Sequence, residues 1–422
     1  MCPGTFLVSA RSMTRAPRQS LKPRLSTGAR LRIVYFVHDL NDAAVEKRLL
    51  MLRAAGFEAV VTGFWRGAKP PLEIAGAKTV PLSRTFDSRL VHRGAATAYH
   101  ALTSRGLMRE LGPADLFLAR SLEMLAVAVA AKRHAAVPLA VIYEILDIHR
   151  LLLSPSIAGR NLRLIERALM RKADFLITSS PAYLRAYFEP VQFPDRRLPT
   201  AVIENKLLQL QSGSVAMSEA ALAPGPPWRI GWFGMIRCSR SLKILLNLAR
   251  KRPDLVKIEI FGRPTRRVFG DFDDHIRGVP ALNFGGAYAP SELKQLYESV
   301  HFNWAIDYFE ENANSEWLLP NRLYEGGNYN VVPFALRRTE TGRWLKEMDL
   351  GVLLDDPALE LESFLDSLAP ADFHSLKNAA RRAPRSAFIA DQSDCDSMAT
   401  LFTNVIERPR NVSLSERASQ SP

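Results

Sequence analysis

The chain has 422 residues, more than a single hydrophobic core usually contains, so two large domains are expected. Its 47% hydrophobic and 23% charged residues are typical of a folded globular protein and exclude a wholly disordered chain. No apolar run reaches the roughly 20 residues that a membrane-spanning helix needs, so none is predicted. Three widely separated cysteines favour a reducing, cytoplasmic setting over a disulfide framework.

The net charge of +13 belongs to the N-terminal half. Residues 1–222 carry 31 Lys and Arg against 17 Asp and Glu, whereas residues 223–422 carry 25 against 26. This asymmetry indicates that one domain faces a polyanion or an anionic membrane surface; solvated basic side chains without a partner are the alternative. Residues 1–30 contain six basic and no acidic residues. They are predicted to form a disordered basic tail, with a transit peptide as the alternative.

Strands and helices alternate along the chain after residue 30. "LRIVYFVHDL" at 31–40 is a short apolar run typical of a buried strand, and "AAVEKRLLMLRAAG" follows with helical spacing that ends at Gly56. Further strand patterns are "FEAVVTGFW", "ADLFLAR", "PLAVIYEI", "DFLITSS" and "AVIENK". The alternation predicts a parallel sheet covered on both faces, in an N-terminal domain spanning residues 31–210.

A second α/β domain is predicted after a linker. Residues 211–228 are rich in Gly, Pro, Ser and Ala, which is typical of a connection between domains. Over residues 229–390 the strand patterns resume with "RIGWFGMI", "VKIEIFG", "ALNFGG", "HFNWAI" and "VVPFAL". Residues 391–422 are predicted to hold a C-terminal helix and then a disordered tail, "RPRNVSLSERASQSP". Two Rossmann-like domains of this kind bind ligands at the carboxyl ends of their strands, so a nucleotide in a central cleft is expected.

One segment of the second half resembles a motif of the family-4-type retaining glycosyltransferases, which build bacterial exopolysaccharide and lipopolysaccharide and have two Rossmann-like domains, the GT-B fold. "NSEWLLPNRLYEGGNYNVVPFA" at 314–335 is similar to that family's pair of glutamates followed by small residues and Pro-Val. Glu325 matches the second glutamate, which in the family accepts hydrogen bonds from the ribose hydroxyls of the donor. Glu316 lies nine positions earlier instead of eight, and Asn330 replaces a glycine. Asparagine tolerates a positive φ, so a left-handed turn is predicted at Asn330.

The same segment holds a second similarity. "PNR" at 320–322 resembles the Pro-x-Lys of a variant form of the family, with Asn321 inside it and Arg322 in the lysine position. The resemblance places Glu316, Asn321, Arg322 and Glu325 at the donor site. The structural alternative is an ion pair at a helix start between Arg322 and either Glu316 or Glu325.

"GWFGMIRCSRSLKILL" resembles the phosphate-binding loop of the family. Gly234 lets the backbone approach a ligand closely. Arg240 stands in the position of the family's lysine, where a cation meets the donor diphosphate at a helix N-terminus. Arg237 is predicted to supply the charge lost at Met235, and a solvated arginine cluster is the alternative. Gly262, in "EIFGRP", matches the next glycine turn of the family.

In the N-terminal half the resemblance points to the acceptor side. "VIYEILDIHR" at 141–150 stands where the family has an Asp and a His after a strand, so Asp147 and His149 are predicted as catalytic residues that contact the transferred sugar or the acceptor. A structural role is the alternative for a histidine in this position. Asn41 and Asp42, in the variant opening "HDLNDAAVEK", are predicted to face the cleft.

A basic helix face is predicted between residues 160 and 171. Arg160, Arg163, Arg167 and Arg171 are spaced by 3, 4 and 4, so they lie on one side of a helix. Leu162, Ile165 and Leu169 are predicted to be buried on the other side. Such a face suits an anionic lipid surface or a polyprenyl pyrophosphate acceptor, and a solvated face is the alternative.

The resemblance implies a retaining hexosyltransferase that moves a sugar from a nucleotide-diphosphate sugar to a saccharide or lipid-linked acceptor, in exopolysaccharide or other cell-surface polysaccharide synthesis. Arg240 stabilises the departing diphosphate in this hypothesis. No metal and no cofactor are assigned, since the nucleotide sugar is the donor substrate. The expected location is the cytoplasm, at the inner membrane surface, and no nucleic-acid partner is predicted. A sugar-nucleotide epimerase and a degenerate, non-catalytic transferase-like scaffold are the alternatives.

Overall fold

A computed structural model describes residues 30–86, 90–193, 198–210 and 222–418, with side chains given up to residue 407. The chain divides into two compact units. The first comprises residues 1–204 and 390–422, and the second residues 205–389. The predicted basic tail, except for Arg30, and residues 211–221 of the predicted linker lie outside the described residues.

The first unit contains one eight-stranded sheet with helices between its strands. The strands are β1 (Arg32–Val37), β2 (Glu58–Trp65), β3 (Glu73–Ile74), β4 (Ala77–Arg84), β5 (Leu116–Arg120), β6 (Ala140–Ile145), β7 (Phe175–Thr178) and β8 (Thr200–Val202). The helices are α1 (Ala43–Ala54), α2 (Leu90–Leu102), α3 (Ser104–Leu111), α4 (Leu122–Lys132), α5 (Arg150–Leu153), α6 (Ile157–Met170) and α7 (Pro181–Tyr183), which continues as a π-helix over Leu184–Gln192.

The strand order of this sheet is β3-β4-β2-β1-β5-β6-β7-β8. Only the short β3 is antiparallel to its neighbour, and the other pairs are parallel. β5, β6 and β7 are buried along their whole length, and β1 is buried except at Arg32. Fully buried strands are what the unbroken apolar runs of the sequence predict for a parallel sheet covered on both faces.

The second unit contains a six-stranded parallel sheet and a two-stranded pair. After β9 (Leu207–Leu208), its strands are β10 (Trp228–Ile236), β11 (Val256–Pro264), β12 (Leu282–Phe284), β13 (Phe302–Trp304), β14 (Val332–Leu336), β15 (Val352–Leu354) and β16 (Ile389–Ala390). The helices are α8 (Ser239–Lys251), α9 (Arg266–Phe269), α10 (Phe272–Ile276), α11 (Leu293–Glu298), α12 (Asn314–Trp317), α13 (Asn321–Asn328), α14 (Glu340–Glu347), α15 (Pro357–Ser367) and α16 (Pro370–Arg382). Two 3-10 turns cover Pro290–Glu292 and Arg385–Ala387.

The order of the six-stranded sheet is β12-β11-β10-β13-β14-β15, and β9 pairs with β16 where the chain enters and leaves this unit. Aromatic side chains fill its core, among them Trp228, Trp232, Trp304, Phe302 and Phe334. The two parallel α/β sheets confirm the predicted fold class. The central cleft between the domains stays a prediction.

The chain ends in a long helix that belongs to the first unit. This helix, α17, spans Gln392–Ala418. Arg48 of α1 donates to the Met398 sulfur at 3.5 Å, and the rings of Phe57 and Phe402 lie 6.0 Å apart. The predicted disorder from residue 408 is wrong up to Ala418, because a helix that is already nucleated and packed can continue through a polar segment. No helix in the described part of the chain is long and apolar enough to span a membrane.

A buried carboxylate holds the centre of the first unit. Glu144, at the end of β6, is completely buried between two arginines. Its Oε1 accepts from Arg48 Nε at 2.8 Å, and its Oε2 accepts from Arg120 Nε at 2.8 Å and from the Tyr35 hydroxyl at 2.7 Å. Burial disfavours the charge of Glu144, but Arg120 and Arg48 outweigh it and lower its pKa to about 2. These bonds tie β1, β5, β6 and α1 together.

We expect Glu144→Gln to lower the free energy of unfolding by about 3–5 kcal/mol, because two buried guanidinium groups lose their counter-charge. Urea unfolding followed by circular dichroism measures this loss. The contribution of the carboxylate is present above its unfolded pKa near 4.5 and is lost as the pH falls through about 2. The difference between the two proteins should therefore shrink over that range.

Glu58→Gln is the matched control, because Glu58 pairs with Arg32 at 3.0 Å but keeps 58% of its side chain exposed. Such surface pairs contribute about 0–1 kcal/mol. Equal, small losses in both variants at neutral pH would contradict a structural role of the buried pair.

Candidate functional site

Two glycines lie near the carboxyl ends of neighbouring strands in the second sheet. Gly234 on β10 and Gly262 on β11 face each other in register, with φ of 105° and 145°. A Cβ on Gly262 would lie 1.7 Å from the Gly234 carbonyl oxygen, so the two turns approach closely only because this residue is glycine. A Cβ on Gly234 would meet only the Tyr288 hydroxyl, at 4.0 Å. The backbone at Gly234 therefore borders open space, as the sequence predicts for a ligand-binding turn.

Arg240 lies in the first turn of α8, immediately after the Gly234 turn. Its guanidinium stacks 4.2 Å above the Tyr308 ring, and its Nη1 pairs with Glu311 at 3.0 Å. The start of α8 is fixed by Cys238, whose sulfur accepts from the Ser241 and Tyr308 amides at 3.3 Å each. The predicted cation is therefore at the helix N-terminus, held against the segment that follows β13.

Arg237 is a second cation at this edge. It pairs with Asp307 at 3.0 Å, and its guanidinium lies 4.9 Å from the centre of the Phe309 ring. Asp307 is nearly buried, whereas the Arg237 side chain is 36% exposed. The alternative of a freely solvated arginine cluster does not describe either residue, because both Arg237 and Arg240 have a carboxylate and an aromatic ring as partners.

Glu316 belongs to an ion cluster around Glu311. Arg338, which follows β14, donates to Glu311 at 2.8 Å and to Glu316 at 3.2 Å. Glu311 thus binds both Arg240 and Arg338. The alternative pairing of Glu316 with Arg322 is wrong, because the charge of Glu316 is met by Arg338.

Glu325 lies on α13 among tyrosines. Its Oε2 accepts from the Tyr297 hydroxyl at 3.0 Å. Burial raises the pKa of Tyr297 well above its ordinary value, and the Glu325 charge raises it further. The pKa of Tyr288 is raised by the same two causes, while Arg322 acts in the opposite direction. Both phenols therefore stay protonated and able to donate. Arg322 donates to the Trp304 carbonyl at 3.4 Å.

The glycine pair after Glu325 lets α13 pack closely. A Cβ on Gly326 would lie 2.6 Å from the Asn303 amide, and one on Gly327 would lie 2.1 Å from the Phe388 ring. Of the other residues of this motif, Asn321 accepts from the Asn205 amide at 2.9 Å. Asn330 has φ of 55°, so the predicted left-handed turn is confirmed.

Glu325 and Arg240 therefore lie at the carboxyl edge of the same sheet but contact different groups. Glu325 accepts from Tyr297 on α11, whereas Arg240 binds Glu311 and Tyr308 beyond β13. Gly234 lies near the end of β10, with Tyr288 beside it. A ligand that reaches both side chains has to extend along this edge.

The carboxyl edge of the first sheet also carries polar side chains. Asp42 caps α1 by accepting from the Ala44 amide at 2.9 Å, and its second oxygen lies 3.8 Å from Arg120 Nη1. Asn41 accepts from the Arg66 and Gly67 amides at 3.4 and 3.3 Å. Asn41 therefore stabilises the loop that follows β2 through these two hydrogen bonds.

Asp147 and His149 follow β6 and are exposed. His149 is the N-cap of α5, and its Nδ1 accepts from the Leu151 amide at 3.2 Å. A structural role of this kind is the alternative that the sequence suggests for this histidine. Asp147 acts electrostatically on His38, which the sequence analysis did not single out. His38 directly follows β1, so its position after a buried strand was the available signal.

The helix α6 is oriented differently from the prediction. Arg163 donates to the Leu152 and Ser154 carbonyls at 2.7 Å each, and Arg167 donates to the Val191 carbonyl, so both turn towards the protein. Ile165 is 52% exposed, and its predicted burial is wrong. The physical reason is Glu166, which is buried with hydrogen bonds from Tyr143, Tyr187 and Gln192 and rotates the helix about its axis.

The chain contains two Asp-x-Asp triplets, and both are occupied by local bonds. Asp271 caps α10 by accepting from the Asp273 amide at 3.1 Å, and Asp394 accepts from the Asp391 amide at 3.0 Å near the start of α17. Within the described ranges, no group of three or more His, Cys, Asp or Glu side chains is arranged to hold a metal ion.

Comparison with known proteins gives the family. No family model matches the chain. It is 39% identical over 400 residues to the succinoglycan biosynthesis protein ExoL of Rhizobium meliloti strain 1021, across 93% of this chain and 98% of ExoL. The chain belongs to the ExoL family.

Solved structures show the fold that this ExoL family member adopts. Sucrose-phosphate synthase from Thermosynechococcus elongatus matches with a TM-score of 0.67 and 16% identity, across 90% of this chain and 100% of that one. Anabaena HepE in complex with UDP and glucose matches with a TM-score of 0.58 and 16% identity, across 91% and 99%. The fold with two Rossmann-like domains, predicted from the sequence, is thereby confirmed.

In this ExoL family member, the sequence motifs point to the site residues Gly234, Gly262, Arg237, Arg240 and Glu325. They miss the groups that hold the charged residues, namely Tyr297, Tyr308, Asp307 and Glu311. These residues come from the loop after β13 and from α11, between 28 and 71 positions away from the side chains that they contact, so only the fold brings them together.

Proposed function

We propose that this chain is a glycosyltransferase that moves a sugar from a nucleotide-diphosphate sugar to a saccharide in exopolysaccharide synthesis. The observation that most strongly supports this proposal is the similarity to ExoL, a protein named for succinoglycan biosynthesis, over 93% of this chain. Its fold is shared with a sucrose-phosphate synthase and with HepE, whose structure contains UDP and glucose. An epimerase or an inactive scaffold would not require an acceptor, whereas a role in polysaccharide assembly does.

The donor site of this proposal is the carboxyl edge of the second sheet. Glu325 binds the ribose hydroxyls, since an ionised carboxylate accepts strongly from two neighbouring hydroxyl groups. The open backbone at Gly234 admits the diphosphate. Arg240 and Arg237, with the first amides of α8, offset its negative charge.

Glu311 neutralises Arg240. A diphosphate that binds at Arg240 therefore competes with this carboxylate, and Arg338 remains as a partner for Glu311. Arg240 is thus neutralised by Glu311 before the diphosphate binds and by the diphosphate afterwards. During transfer, the guanidinium stabilises the charge that develops on the departing diphosphate.

We expect Glu325→Gln and Arg240→Gln each to weaken UDP binding about tenfold or more, because each removes one charged hydrogen-bonding group worth about 1.5–3 kcal/mol. Thermal-shift titration with UDP and UDP-glucose measures the effect, because a ligand that binds only the folded protein raises its stability.

Arg343→Gln is the matched control for this experiment. Arg343 is 43% exposed, close to the 47% of Arg240, and it also binds carboxylates, Glu340 and Glu347 on its own helix. UDP binding should be unchanged in this variant. If UDP stabilises Glu325→Gln and Arg240→Gln as strongly as the native chain, neither residue belongs to the donor site.

Retention of the anomeric configuration is the finer part of the proposal, and its support is the motif similarity around Glu325. With an α-linked UDP-sugar as donor, the first product should carry an α linkage. Proton NMR of the freshly formed product distinguishes α from β by the coupling of the anomeric proton. A β-linked first product would overturn retention and leave the transferase proposal standing.

The acceptor is proposed to be lipid-linked, with α6 docking on an anionic inner-membrane surface from the cytoplasm. Three apolar side chains of α6 are exposed: Ile157 by 70%, Leu164 by 57% and Ile165 by 52%. Exposed basic residues flank them, namely Arg160, Arg171 and Lys172. Glu166, the one acidic residue of α6, is buried, so no negative charge on this helix opposes an anionic surface. Apolar side chains flanked by cations are typical of interfacial helices.

We expect the double variant Leu164→Glu, Ile165→Glu to bind phosphatidylglycerol vesicles at least about tenfold more weakly, because each apolar side chain contributes about 1.5–3 kcal/mol when buried. Arg160→Gln should cost about fivefold and reduce the salt dependence. Vesicle co-sedimentation measures both effects.

The matched control is Leu359→Glu, since Leu359 is 77% exposed on α15 of the second unit. It should bind vesicles as the native chain does. Unchanged binding of the α6 double variant would remove α6 as the docking surface.

A further inference from the structure

His38 and Arg120 end neighbouring strands of the first sheet. β1 and β5 are parallel and paired in register up to Phe36 and Ala119. Arg120 is the last residue of β5, and His38 comes directly after β1. Their side chains therefore leave the sheet at the same edge, where α1 begins with Asp42.

Both side chains carry a buried nitrogen without a hydrogen bond. Arg120 uses Nε for Glu144 at 2.8 Å and Nη2 for the Ala44 carbonyl at 3.3 Å, but Nη1 makes no hydrogen bond and lies 3.8 Å from the Asp42 carboxylate. His38 Nδ1 is likewise buried and has no partner among the described residues. Each such group costs about 1–3 kcal/mol when it stays unsatisfied, so a pair of them at one edge favours a ligand.

Burial keeps the His38 ring neutral. Burial lowers the pKa of His38; Asp42 and Asp147 act to raise it, and Arg120 and Arg66 act to lower it further. Glu123, at the start of α4, also interacts with His38. A neutral imidazole has one nitrogen that accepts and one that donates, so Nδ1 can accept a hydrogen bond.

We propose that His38 Nδ1 and Arg120 Nη1 form a subsite for a hydroxyl group of a neutral saccharide acceptor. A hydroxyl donates one hydrogen bond and accepts others, so it can donate to the histidine while it accepts from the arginine. The neighbouring Asp42 carboxylate can accept from a second hydroxyl. This inference rests on the proposed glycosyltransferase function and names the acceptor class for it.

An anionic ligand fits this edge poorly. A carboxylate or phosphate only accepts, so it binds both nitrogens only when the His38 proton is on Nδ1. It would also meet the negative charges of Asp42, Asp147 and Glu123, and the charge of Arg120 is already shared with the buried Glu144. The geometry thus favours a neutral sugar over a uronic acid.

The test replaces His38 in the full-length chain and measures saccharide binding without a donor. Cellobiose is the neutral probe and glucuronate the anionic one, both detected by saturation-transfer NMR. In His38→Asn the amide group occupies the position of Nδ1, so cellobiose binding should be kept within about threefold of the native chain. In His38→Phe no hydrogen bond is possible, and binding should fall about tenfold or more.

His134→Phe is the control, because His134 is exposed and follows α4, before β6 begins. It should bind cellobiose as the native chain does. The subsite is overturned if the native chain binds no cellobiose, if it prefers glucuronate, or if His38→Phe binds as well as His38→Asn. UDP thermal shifts on the same samples report the donor site separately, so a loss of the subsite is distinguishable from a failure of the proposed function.

Discussion

A strand that is covered on both faces can place a polar side chain in contact with solvent only at its ends. This constraint governs both sheets, because β1, β5, β6 and β7 of the first unit and β14 of the second are buried almost throughout. Polar chemistry therefore collects at the carboxyl edges. Gly234 and Gly262 stand there in one sheet, and His38 and Arg120 stand there in the other. The residues at the carboxyl ends of the strands therefore decide which ligand groups each sheet edge can contact.

Each edge is held by a charged group that the protein itself neutralises. In the first unit the buried Glu144 fixes Arg48 and Arg120, and so determines where the unused nitrogen of Arg120 points. In the second unit Asp307 and Glu311 hold Arg237 and Arg240. The two arrangements differ in exposure. The first is sealed and serves as a structural element, whereas the arginines of the second are 36% and 47% exposed.

The sequence predicted the fold well because buried parallel strands are continuous apolar runs that periodicity detects. The assignment of Gly234, Arg240 and Glu325 to a donor site comes from the motif resemblance and stays a prediction. The sequence-based prediction failed at α6, where a regular spacing of arginines was assigned to one exposed face. Periodicity identifies the faces of a helix, but the rotation of α6 is fixed by Glu166 through bonds to Tyr143 and Gln192, residues more than 20 positions away. The partners of the arginines and of Glu325 were missed for the same reason, since they meet only after folding.

The helix α17 returns the end of the chain to the unit in which the chain began. Met398 and Phe402 of α17 pack beside Arg48 and Phe57 of the first unit. On the ribosome, the second unit is thus complete in the nascent chain before the first can acquire its last helix. The N-terminal sheet emerges early but acquires α17 only after the whole second unit has been translated.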